Sequence, residues 1–162
     1  MIRLLGTDDV DVFRQIRMEA LSAEPAAFAS STSDWQQMSE DAWRQRLLDD
    51  PVFVSFDGGE PVAIMGLLRQ RASKMVHRAT IIMVYVRKEM RGTGVAGSLL
   101  DFVVDYAREN GIRQLELTAS VENTRAIQFY RNAGFADVGL IPAGVIDGGR
   151  EIDDLIMVRR IA

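Results

Sequence analysis

The 162-residue chain carries 19 Lys and Arg against 23 Asp and Glu, a formal charge of −4, and 48% of its residues are hydrophobic. With no cysteine and a single histidine, His77, it excludes disulfides, thiolate chemistry and a multi-histidine metal site. The acidic balance excludes a broad basic face for nucleic acid, and no apolar run nears the ~20 residues that cross a bilayer.

The length suits one domain over residues 1–162. MIRLLGTDDV has no apolar stretch of the signal-peptide kind, so cytoplasmic residence is expected. Residues 2–6, IRLLG, predict a first strand, and Thr7-Asp8-Asp9 an N-cap cluster. Val10, Phe13, Ile16, Arg17, Ala20 and Leu21 then follow helical spacing until Pro25. Residues 22–38 are small and polar with embedded aromatics, which predicts a loop or broken helix. Ser39 opens a second helix that runs to about Leu48.

From there the pattern turns to β. PVFVSF (51–56) and EPVAIMGLLRQ flank Asp57-Gly58-Gly59, a hairpin turn. HRATIIMVYV (77–86) is apolar on both faces at its centre, so it belongs inside the sheet. Val95 to Asn110 is the clearest amphipathic helix, closed by Gly111. RQLELTAS alternates as a strand, and Asn123 caps a helix over Thr124–Asn132 that Gly134 ends. The last 28 residues predict two strands joined at Asp147-Gly148-Gly149.

RGTGVAGSLL (91–100) admits two readings. Gly92-x-Gly94-x-x-Gly97 has the spacing of a dinucleotide loop, but that loop needs its glycines at a strand end within two βαβαβ halves. Here Arg87-Lys88-Glu89-Met90 intervenes, and the flanking segments are largely hairpins. The other reading is Arg91-x-x-Gly94-x-Ala96 at the start of a helix. The unpaired first-turn amides and the helix dipole there suit a diphosphate.

The second half of a signature follows at residues 123–135, NTRAIQFYRNAGF. Taken with Val84–Val86, the loop and Leu99-Leu100, the motif of Asn123, Ala126, Tyr130, Gly134 and Phe135 resembles the GNAT acetyltransferase superfamily. The likeness is strong over residues 77–139, and the order of elements fits over nearly the whole chain.

The resemblance implies a mixed, mostly antiparallel sheet of about seven strands with a central splayed parallel pair, flanked by about four helices. It implies an N-acetyltransferase that uses acetyl-CoA and no metal. Val84, Tyr85 and Val86 would hold the acetyl and pantetheine portion, and the amides of Arg91, Gly92, Thr93, Gly94, Val95, Ala96, Gly97 and Ser98 the pyrophosphate. Asn123 would hydrogen-bond the pantetheine arm, or be a plain N-cap, and Ala126 would also contact the cofactor. Arg125 and Arg131 would face CoA phosphates or solvent, and Tyr130 would be the general acid for the departing thiolate.

No Glu lies on the strand before the loop. His77 is about 26 Å of extended strand from Tyr85, which favours a surface or structural role. Glu19 on the first helix is the remaining base candidate, beside a water relay. Glu19, Phe28, Trp35 and Tyr85 would line the acceptor pocket. The acceptor stays open among small amines, amino-acid-like metabolites, antibiotics and protein N-termini. The alternatives are a non-catalytic acyl-CoA sensor on the same fold and a nicotinamide oxidoreductase. Neither a nucleic-acid nor a membrane partner is expected, and a homodimer through the terminal hairpin is left open.

Overall fold

Apolar residues on both faces of successive strands dictate a sheet covered on two sides. The computed structural model describes residues 1–162. Seven strands form one sheet: β1 Ile2–Leu4, β2 Val52–Asp57, β3 Glu60–Arg69, β4 Arg78–Val86, β5 Gln114–Ser120, β6 Ala136–Asp147 and β7 Arg150–Arg160. Their order is β1-β2-β3-β4-β5-β7-β6, and only β4 and β5 run parallel. The helices are α1 Val10–Ala23, α2 Thr32–Gln36, α3 Glu40–Asp49, α4 Val95–Glu109 and α5 Thr124–Asn132. No helix is long and apolar enough to cross a membrane.

The two-residue period of the strands separates two cores. Phe53, Ala63, Met65 and Leu67 pack with Leu99, Val103 and Ala107 of α4 and Ile127 and Tyr130 of α5. Val52, Val54, Phe56 and Ile64 face Phe13, Ile16, Trp35 and Trp43 on the α1–α3 side. Residues from β2 and β3 thus enter both clusters, which is why their sequences read as nearly unbroken apolar runs. The outer strand β6 leaves Val138, Leu140 and Ile146 exposed.

Five helices form where about four were expected. The additional one, α2, lies within the segment 22–38. Ser31 Oγ accepts from Asp34 N–H (3.4 Å) and Asp34 Oδ2 from Ser31 N–H (2.8 Å), a reciprocal cap. Trp35 then anchors the turn edge-on to Phe13, ring centroids 5.9 Å apart. Thr7–Asp9 forms a 3₁₀ turn and not a side-chain cap for α1. Asp9 instead accepts from Arg3 (2.8 and 2.9 Å) and the Gly6 N–H (2.7 Å).

Candidate functional site

Three parallel pairs hold β4 to β5: Arg78 with Gln114, Ala79 with Leu115, and Thr80 with Glu116. Beyond Thr80 the two strands pair no further. Glu116 clamps this closed end. It accepts from Arg78 through both carboxylate oxygens, Nη2 to Oε1 at 2.7 Å, and from Gln114 Nε2 at 2.9 Å. Above the clamp the sheet opens as a V.

The β4 arm is also kinked. Ile64 pairs with Tyr85 and Gly66 with Ile82, so Met83 and Val84 together face the single residue Met65. This is a β-bulge, with Met83 at φ +57°. Gly66 makes room for it, since a Cβ there would lie 2.6 Å from Met83 Cε and 3.0 Å from Ile82 Cγ1. No residue of β5 pairs with Val84, Tyr85 or Val86, so that side of the β4 arm has no strand neighbour.

The loop after β4 completes the first cavity. Gly94 takes φ +88°, a left-handed conformation that favours glycine, and stands at the N-terminus of α4. The first helical bond is Ser98 N–H to the Gly94 carbonyl at 3.0 Å. The amides of Val95, Ala96 and Gly97 come before it and make no helical bond. A cavity of about 480 Å³ lies between this turn and the arms of the V. Val84, Tyr85, Val86, Arg91, Gly92, Gly94, Ala96, Gly97, Asn123, Ala126 and Tyr130 line it, as does Arg125.

A second cavity, about 380 Å³, opens on the α1–α3 side of the V. Phe28 and Trp35 line it, with Arg17, Arg46, Asp50, Asp147 and Asp154, while Tyr85 lines only the first cavity. The two cavities share Ala27, Phe28, Val84, Asn123, Ala126 and Tyr130 in their walls. Tyr130 therefore stands where they meet. Burial among Phe129 and Phe135 pushes its phenol well above the ordinary value, so it stays protonated across the working pH range. Burial, then the Glu19 carboxylate, pushes Tyr85 up to about 12.

Several expected residues are placed elsewhere. The Ser98 and Thr93 amides are taken by the carbonyls of Gly94 and Met90, and neither residue lines the cavity, nor does Val95. Val95 packs its side chain against the core instead. Asn123 keeps its capping role, accepting from Ala126 N–H at 3.3 Å, while also lining both cavities. Arg131 pairs with Asp137 and is not at the loop. His77 lines neither cavity, and its carbonyl accepts from the amides of Arg113 and Gln114.

Glu19 also lines neither cavity. Arg87 holds its carboxylate with Nη2 at 2.7 Å and Nε at 2.9 Å. α1 lines the second cavity with Phe13 and Arg17; Arg17 lies two positions before Glu19 and so about 200° around the helix. Its signal was present in the sequence, as an arginine within an otherwise apolar helical stripe. Local positive charge at the loop is smaller than the sequence suggests. Arg87 is spent on Glu19, and Arg91 on Glu24 (2.5 Å) and the Val86 carbonyl (3.3 Å).

Residues 14–135 match the acetyltransferase (GNAT) family. The chain is 28% identical over 138 residues to an uncharacterized N-acetyltransferase of Methanocaldococcus jannaschii, covering 84% of this chain and 60% of that one. It is 27% identical over 164 residues to an L-amino acid N-acetyltransferase of Escherichia coli, covering 98% of this chain and 96% of that one. The fold is similar to that of yncA from Salmonella typhimurium, whose structure contains its cofactor acetyl-CoA. The TM-score is 0.82 at 23% identity, covering 100% of this chain and 94% of that one.

Proposed function

The chain belongs to the acetyltransferase (GNAT) family, and from that premise we propose that it is a cytoplasmic N-acetyltransferase that moves an acetyl group from acetyl-CoA to a primary amine. The observation that carries this reading is the meeting of the two cavities at Val84 and Tyr130. One cavity has a diphosphate seat at its far end, and the other opens on the opposite side of the V. That is the arrangement a two-substrate transfer needs, with both reactants converging on one point.

The residues of the first cavity fit CoA. The unpaired amides of Ala96 and Gly97 and the dipole of α4 favour a diphosphate, with Arg125 as a further exposed cation at the wall. Acetyl-CoA supplies an acetyl group already activated as a thioester. A backbone N–H of β4, that of Val84 or Tyr85, stabilises the oxyanion in this reading as an amine adds directly to the carbonyl. Tyr130, kept protonated by its buried surroundings, donates its phenolic proton to the departing sulfur, and the proton lost from the nitrogen of the adduct passes by way of water to restore the phenol. No covalent intermediate with the protein is needed.

The test is release of free CoA from acetyl-CoA across a panel of amines, with the acetylated product identified by mass. Turnover of at least one amine class supports the reading. Tight acetyl-CoA binding with no amine acetylated would convert it to that of an acyl-CoA sensor.

A further inference from the structure

Arg17 is the one charged side chain buried among the apolar residues of α1, with 4% of its surface exposed. Its Nε and Nη1 have no hydrogen-bond partner. It lines the second cavity, with the Phe28 and Trp35 rings 5.0 and 4.5 Å from its guanidinium carbon. Arg46 of α3 lines the same cavity, 4.8 Å from the Trp35 ring, and forms no ion pair. Two cations thus share one aromatic ring. The cavity's one acid on this side, Asp50, has Arg71 as its ion-pair partner at 3.6 Å. The acids of the opposite wall, Asp147 and Asp154, are on β6 and β7.

A buried guanidinium with two open donors is costly unless something pairs with it. Its planar fork matches a carboxylate in a bidentate geometry. We infer that the acceptor is an amino-carboxylate, a free α-amino acid or close analogue, whose carboxylate is held by Arg17 with Arg46 behind it. The amine is then directed toward Tyr130, along the wall that carries Asp154. A cavity of about 380 Å³ is at the small end of the range for ligand sites, in keeping with one amino acid. A protein N-terminus is disfavoured, because its α-carboxylate is consumed in the peptide bond. A polycationic antibiotic meets two like charges at the aromatic end.

This inference rests on the acetyltransferase reading and is tested so that the two can fail separately. L-α-amino acids, their carboxamides and the corresponding amines lacking the carboxyl are compared as acceptors at fixed acetyl-CoA. Acceptor binding to the CoA-bound protein is titrated in parallel. A charge-assisted contact predicts a preference for the amino acid of about 10- to 100-fold in kcat/KM. In Arg17→Met that preference collapses, chiefly through KM, and Arg17→Lys restores part of it. Acetyl-CoA affinity in the same samples reports that each variant is folded. Equal turnover of amides or plain amines overturns the inference and leaves the acetyltransferase intact. So does an undiminished preference in Arg17→Met, or amino acids that neither bind nor react. Failure of acetyl-CoA itself to bind overturns both.

Discussion

At the scale of single residues, Tyr130 and Arg17 illustrate opposite kinds of legibility. The place of Tyr130, in the walls of both cavities, was readable because the residue belongs to a motif of fixed spacing, Asn123 to Phe135. Tyr130→Phe keeps the packing and removes only the proton. It is expected to lower kcat by about 100-fold or more while acetyl-CoA affinity stays near that of the wild type. Unchanged turnover would remove the general-acid role. Arg17 was visible only as an irregularity in an apolar stripe, because spacing does not report which side of the stripe opens on a cavity. Glu19, two positions on, lines neither cavity and meets Arg87, a partner that spacing along α1 does not report.

Arg17 also has a cost that can be measured. Burial, then the Arg46 charge, pulls its pKa down to about 10. A base whose folded pKa lies below its unfolded value opposes folding wherever it is protonated, here at any pH below about 10. The displacement corresponds to roughly 3 kcal/mol of lost stability, partly offset by the Phe28 and Trp35 contacts. Arg17→Met is therefore expected to raise the melting temperature of the ligand-free protein by about 2–6 °C, even as it impairs acceptor binding. A lower melting temperature would mean that the guanidinium is satisfied within the fold.

At the scale of elements, boundaries set by caps were readable and irregularities were not. Asn123 and the Thr124–Asn132 helix fall where the sequence put them. So does the hairpin at Asp57-Gly58-Gly59, because each is decided by local turn or cap chemistry. The β4 bulge is a two-strand property and escaped detection. Apolar MVYV reads as regular strand, and the space that Met83 needs is supplied by Gly66 on the neighbouring strand. Gly66→Val should press on Ile82 and Met83, flatten the bulge and weaken acetyl-CoA binding by tenfold or more, with destabilisation of about 1–3 kcal/mol. Retained affinity with an intact fold would show that the bulge is not needed for the cofactor.

At the scale of the whole molecule, the order of elements fitted the family resemblance, and it was the resemblance that implied the mixed sheet and its parallel pair, as found. What the order of elements did not show is how the parallel pair is held at one end only. Arg78, Gln114 and Glu116 do this at the last paired residues before the V opens. Arg78, then Gln114, holds the Glu116 carboxyl below its ordinary value. A depressed acid contributes stability above its unfolded pKa of 4.5 and loses it as pH falls through the lower folded value. Glu116→Gln should lower stability at neutral pH and flatten the acid dependence below about 4.5. If the two proteins lose stability in parallel through that window, the clamp contributes nothing.

The loop that opens α4 carries the greatest weight, because the V, the bulge and Tyr130 acquire their meaning from what it seats. Calorimetric titration of the purified protein with acetyl-CoA and, separately, with NAD(H) and NADP(H) tests that directly. Saturable binding of acetyl-CoA at one site, weakened by Gly94→Asp and absent for the nicotinamide dinucleotides, is the predicted result. Binding of a nicotinamide dinucleotide with none of acetyl-CoA would contradict it.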